Sequence, residues 1–265
     1  MSTIAYTVAD SGTMLRRNLL HMVRYPGLTV FTVGVPVIAL LLFVFVFGGT
    51  LGAGLPGVAA GAGIGAYLAY VVPGMVVLTI AGTAGGTATT VSMDMTEGIV
   101  ARFRSMDISR AAVLTGHVLG NVIQGLIAVT LVFVVALAVG FRPTGDPLGW
   151  LGALGIVVAT LFAVTWLGVG MGMAAKSVET ASNLPLILTL LPFLGSGFVP
   201  TDTMPDVVRV FAEYQPFTPI VETFRALLMG TPVGAEGLAA VGWLTAITAA
   251  GYAWSLALYR RKSVR

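Results

Sequence analysis

Six stretches of about 20 residues each, almost free of charge and separated by short charged clusters, limit what this chain can become. They cover 28–47, 67–90, 114–139, 150–173, 182–198 and 238–258. A helix must run for about 20 apolar residues to cross a hydrocarbon layer about 30 Å thick. Only 9% of the 265 residues are charged, against about 25% in a soluble domain, so the uncharged runs must face lipid or one another. The second run is diluted by Gly82, Gly85, Gly86 and several threonines, and the fifth is short and interrupted by Pro185 and Pro192. Such residues are tolerated in the bilayer where neighbouring helices satisfy the freed backbone groups, which predicts that these two runs pack inside the bundle. The expected fold is a single all-α polytopic membrane domain over residues 1–265, with six transmembrane helices.

The distribution of cations orients this fold. With both termini in the cytoplasm, the inner segments hold Arg16, Arg17, Arg24, Arg102, Arg104, Arg110, Lys176, Arg260, Arg261, Lys262 and Arg265, while the outer segments hold Arg142, Arg209 and Arg225. Eleven of the 14 lysines and arginines then lie inside, as the positive-inside rule requires, and removing any one span scrambles the asymmetry. The first apolar run begins near Leu28, behind Asp10, Arg16, Arg17 and Arg24, so it reads as a retained span and not as a cleaved signal. Residues 5–25 interleave leucines with arginines, the pattern of an N-terminal amphipathic interfacial helix ending at Pro26. Residues 92–113 form the most charged segment, on the cytoplasmic side. Residues 199–236 form a long outer segment with short apolar turns and several prolines, which predicts extracellular re-entrant short helices between spans 5 and 6.

Several chemistries are excluded by residue type. Cysteine is absent, so thiolate metal sites and cysteine nucleophiles have no basis. Lys176-Ser177 and Lys262-Ser263 lack the glycine-rich turn of a P-loop, so ATP hydrolysis is expected on another polypeptide. Gly195-Ser196-Gly197 resembles a nucleophile turn only superficially, because no histidine follows His117; two glycines packing against a neighbouring helix is the preferred reading. His21 and His117 are the only histidines and lie in different segments, which leaves no metal site, and no catalytic set can be assembled. The basic residues flank apolar runs and do not form an aromatic-interleaved patch, so no nucleic-acid partner is expected. Ionisable residues are missing from the centre of every run, which disfavours a secondary carrier or channel and points to a pathway lined by apolar and neutral polar groups. His117, Asn121 and Gln124 share one face of the third run and either line a substrate entrance or bond between helices. Gly82 with Gly86, Gly116 with Gly120, and Gly168 with Gly172 have the spacing of close helix packing or of a dimer seam.

The stretch Glu97-Gly98-Ile99-Val100-Ala101-Arg102-Phe103-Arg104-Ser105-Met106-Asp107, continuing to Gly116, resembles the cytoplasmic loop of ABC-2 type exporter permeases, most closely the daunorubicin/doxorubicin-resistance type. Pro200, Met204-Pro205, Gln215-Pro216-Phe217-Thr218-Pro219 and Arg225-Ala226-Leu227 resemble that family's outer segment, and the likeness extends over nearly the whole chain. Asp107, His117 and Asn121 depart from the family pattern.

The resemblance implies a permease subunit, not an enzyme, in the bacterial cytoplasmic membrane. It would export a hydrophobic or amphiphilic drug, antibiotic or lipid. It implies two copies of an ATP-binding cassette ATPase that carry the ATP and Mg, and a second permease chain, identical or a sister. Glu97, Gly98, Arg102, Phe103, Arg104 and Met106 would form a cytoplasmic coupling helix on the ATPase. Pro200, Pro205, Pro216, Phe217, Pro219 and Arg225 would form an extracellular gate.

Overall fold

The computed structural model describes residues 26–49, 63–96 and 110–262, with side chains placed over 34–49, 64–96 and 118–261. The N-terminal amphipathic segment and the 97–109 loop lie outside the described residues. The described residues are helical throughout, with turns between. α1 (Pro26–Leu42) runs on into a π-helical turn, Phe43–Phe47; α2 is Gly63–Thr96, α3 Arg110–Val139 and α4 Pro147–Ala174. Three short elements follow: α5 (Val178–Asn183), α6 (Leu186–Leu190) and a 3-10 turn, Leu191–Leu194. A second 3-10 turn (Thr201–Thr203), α7 (Asp206–Tyr214), α8 (Phe217–Met229) and the long α9 (Gly234–Lys262) complete the chain.

Four of these helices are long and apolar enough to cross a membrane: Ile64–Thr96, Val118–Val139, Pro147–Ala174 and Gly234–Arg261. Two shorter apolar stretches, Gly34–Phe47 and Val178–Leu194, stand where the first and fifth spans are expected. The fifth run is not one helix. Pro185 and Pro192 lack the N–H that would continue it, so the chain breaks into short turns there. The second run is longer than the sequence suggests, because α2 extends beyond 67–90 at both ends.

α2 is the hub. In its most apolar window 72% of residues are buried, against 17% in α9, which packs chiefly on α4 and α8. A threonine-rich helix can occupy this position because its hydroxyls bond back to the helix's own carbonyls. Thr79 donates to Met75 O (2.7 Å), Thr83 to Ile80 O (2.7 Å) and Thr87 to Thr83 O (3.0 Å), so no hydroxyl of the three seeks water.

Glycines let α4 approach two neighbours. A Cβ on Gly172 would stand 2.4 Å from Ala88 O and one on Gly168 3.0 Å from Ala84 O, so the backbones of α4 and α2 nearly touch. On another face, Gly170 receives the Trp254 ring, a Cβ on Gly251 would meet Trp166 at 3.0 Å, and Ser255 donates to Trp166 O (3.3 Å), which joins α4 to α9. Gly82 and Gly86, although they share the same spacing, face open space. Spacing alone did not separate a packed pair from an open one.

Gly172→Ala should therefore lower the thermal unfolding midpoint of the detergent-solubilised chain, with an overpacking cost of about 1–3 kcal/mol. Gly82→Ala should leave it unchanged or raise it, by at most about 1 kcal/mol. Equal losses at both positions would contradict the packing described.

Candidate functional site

α8 is amphipathic and lies in among the long helices. Phe217, Ile220, Val221, Phe224 and Leu228 are buried against α2, α4 and α9. Its C-terminal end is clamped: Leu228 O accepts from the backbone N–H groups of Thr144 (3.1 Å) and Gly145 (2.8 Å), and the Thr144 hydroxyl donates to Met229 O (2.8 Å). Gly230, at φ 68°, adopts the left-handed conformation that lets the chain turn off the helix. A Cβ on Gly145 would stand 2.3 Å from Leu227 O, so only glycine permits this close approach.

Arg225 projects from α8 into a junction of three elements. Its guanidinium donates to Tyr70 O on α2 (3.0 Å) and to Ser196 O in the turn after the broken fifth run (3.0 Å), and it pairs with Glu222 one turn back. It also lies 4.1 Å from the centre of the Tyr70 ring, within cation–π range. The Arg225 side chain is 14% exposed and that of Glu222 34%, so the arginine is much the more desolvated partner. A buried guanidinium is tolerated because its planar fork of donors reaches several acceptors at once. Ser196 sits in a glycine turn outside any helix, and Pro73 lies one turn along α2 from Tyr70.

A second polar node reinforces the first. Gln215 Nε2 donates to Leu191 O (3.1 Å) and to the Thr218 hydroxyl (3.3 Å), while that hydroxyl donates to Ala212 O and accepts from Ser196 N–H (3.3 Å). Gly195 makes room for Gln215, since a Cβ there would meet its Nε2 at 2.2 Å, and a Cβ on Gly74 would meet Gly197 O at 2.2 Å. The Gly195-Ser196-Gly197 turn is thus a packing device against α2 and α8, and Ser196 Oγ is buried beside it.

Of the outer residues singled out from sequence, Pro216, Phe217, Pro219 and Arg225 come together on α8 and its N-terminal flank. Pro200 and Pro205 instead start the Thr201–Thr203 turn and α7. Tyr70, Gly74, Ser196, Gln215 and Glu222 complete the junction and were not picked out as site residues, because a carbonyl acceptor or a contact across elements leaves no mark in sequence. On α3, Asn121 is buried and Gln124 half-buried beside Gly125, where the helix meets Leu161 of α4. The side chain of His117 lies outside the described residues, as do Glu97, Gly98, Arg102, Phe103, Arg104 and Met106.

Comparison with known proteins identifies the context of this junction. The pattern of the ABC-2 type transporter family matches residues 11–229. The chain is 28% identical over 264 residues to the daunorubicin resistance ABC transporter permease protein DrrB1 of Streptomyces coeruleorubidus, covering 98% of this chain and 89% of that protein. It is 26% identical over 156 residues to a probable doxorubicin resistance ABC transporter permease protein, DrrC, of Mycobacterium tuberculosis, covering 57% and 54%. Nodulation protein J of Rhizobium leguminosarum bv. trifolii is 28% identical over 232 residues, covering 84% of each.

Arg225→Ala should lower the unfolding free energy by about 2 kcal/mol or more, because it strips charge-assisted bonds from two backbone carbonyls. Glu222→Gln, at a more exposed pair, should cost about 1 kcal/mol or less. Arg225→Lys should recover little of the loss, since an ammonium lacks the fork that reaches Tyr70 O and Ser196 O together. Melting curves of the three variants measure this; a larger loss for Glu222→Gln than for Arg225→Ala would show that the ion pair, not the carbonyls, holds α8.

Proposed function

The chain belongs to the ABC-2 type transporter family, and we propose that it moves a hydrophobic or amphiphilic cargo out across the bacterial cytoplasmic membrane, powered by a separate ATPase. It is a multi-pass membrane protein and the transmembrane subunit of an ABC exporter. The observation that carries this reading is the match over nearly the whole chain to a drug-resistance permease, in a sequence with no P-loop of its own.

Six spans with both ends in the cytoplasm is the arrangement supported by the cation count and by the two shorter apolar stretches that accompany the four long helices. Two such chains, identical or sisters, sit over two ATPase subunits that bind ATP and Mg. Glu97, Gly98, Arg102, Phe103, Arg104 and Met106 form the coupling helix, in which the arginines pair with acidic groups of the ATPase and the apolar side chains bury against it. α7 and α8 cover the outer mouth. Closure of the ATPase dimer tilts the long helices, and α8 parts from α2 when the Arg225 contacts to Tyr70 and Ser196 exchange. His117, Asn121 and Gln124 supply neutral polar groups on the cytoplasmic side of the pathway. The relatives' names, daunorubicin and doxorubicin resistance, support a drug or antibiotic as cargo over a lipid.

Expression beside its genomic neighbours and extraction in mild detergent should yield a complex with an ATP-hydrolysing subunit. Replacing Arg102 and Arg104 together with glutamate should reduce substrate-stimulated hydrolysis at least about tenfold while the chain remains folded. A chain that purifies alone, with no ATPase encoded nearby, would favour a carrier or channel.

A further inference from the structure

Two adjacent cavities along α4 have no part in the transport cycle described above. The larger, about 660 Å³, is a groove between α4 and α9 bordered by Gly152, Gly155 and Phe162 on one wall and by Val241, Thr245 and Tyr252 on the other. Its surface is apolar: the Thr245 hydroxyl is taken up by Val241 O (2.8 Å), and the missing side chains at Gly152 and Gly155 create the hollow. Residues 152–162 rise about 15 Å, half of a hydrocarbon core about 30 Å thick, so the groove has the depth of one leaflet. One end is stopped by aromatic rings, with Trp166 against Tyr252 at 5.0 Å and against Phe162 at 6.2 Å. At the other end Leu227 stands 3.1 Å from where a Cβ on Gly152 would be.

Leu227 also borders the smaller cavity, about 370 Å³, one turn further toward the start of α4, where Thr144, Asp146 and Thr231 meet. Among the described residues, Asp146 is the one charged residue lining either space. The two cavities together pair an apolar slot one leaflet deep with a polar pocket that carries a single negative charge.

We propose that this is a binding site for one phospholipid of the leaflet on the α8 side, with an acyl chain in the groove and an ammonium-bearing headgroup at Asp146. The inference rests on α4 and α9 spanning the bilayer. The groove opens beside Leu151, Leu154 and Val158, exposed on the lipid-facing side of α4, so its mouth is continuous with the acyl-chain surface. A second copy of the chain is a poor fit for size. A strip about 15 Å long and about 10 Å wide offers on the order of 150 Å², against about 800 Å² per partner in a stable interface.

The test is native mass spectrometry of the full chain after reconstitution in vesicles of equal parts phosphatidylethanolamine and phosphatidylglycerol and release into mild detergent. The wild type should retain one phospholipid per chain, mainly phosphatidylethanolamine. Gly155→Leu, at a position with no atom within 4 Å of a new Cβ, and Thr245→Leu on the opposite wall should each lower retention about tenfold with unchanged melting. Asp146 Oδ1 accepts from Gly149 N–H (2.7 Å) and caps α4; Asp146→Asn keeps that cap, because asparagine caps as well as aspartate, and should keep the adduct while losing the preference between headgroups. No retained phospholipid in the wild type, or undiminished retention in both filled variants, overturns the site. A headgroup preference that survives Asp146→Asn overturns the ammonium assignment. A loss of dimer with unchanged adducts assigns the groove to a second copy. None of these outcomes alters ATPase coupling, so the transport reading stands or falls separately.

Discussion

Inside a bilayer each backbone N–H and C=O must find its partner within the protein, and this requirement governs the architecture. Straight helices meet it at once. The segment from Pro185 to Gly197 does not, because its prolines and turns break the helical ladder and free main-chain carbonyls. The structure meets the need with long side chains from α8 and its flank: Gln215 takes Leu191 O, while Arg225 takes Ser196 O and Tyr70 O. The broken run therefore depends on α8. Main-chain groups of the broken run are satisfied by side chains of α8 and its flank, which explains why an arginine is held at 14% exposure beside apolar helices.

The same requirement shapes the straight elements. The threonines of α2 return their hydroxyls to the preceding turn and leave a helix whose surface is effectively small and apolar. Against that surface the glycines of α4 bring two backbones into contact, since lipid offers no hydrophobic drive for association and close van der Waals packing must supply it. α4 is thus fixed on one side to α2 and on another to α9, and its N-terminal end receives the clamped end of α8. The Thr144, Gly145 and Leu228 contacts join the start of α4 to the end of α8.

Arg225 suits a reversible contact. Its bonds go to carbonyls and to a partly exposed carboxylate, and such bonds exchange one acceptor for another without leaving a charge buried and bare. An apolar contact of similar area offers no alternative partners.

The helical class and the membrane setting were legible in the sequence, because run length and charge content act locally, residue by residue, and need no knowledge of neighbours. The same holds for the break at Pro185 and Pro192, where a missing N–H ends a helix wherever it stands. The family was legible in two motifs. The partners of Arg225 were not: two are main-chain carbonyls 155 and 29 residues away, and a carbonyl carries no residue identity. Nor could the sequence tell Gly168 and Gly172, pressed on α2, from Gly82 and Gly86, which face open space. Composition and spacing determined what this chain dissolves in and how often it turns, since those follow from transfer free energy along the chain. Which carbonyls are covered and which glycines touch were decided by the tertiary structure alone, because both depend on which surfaces meet across elements distant in sequence.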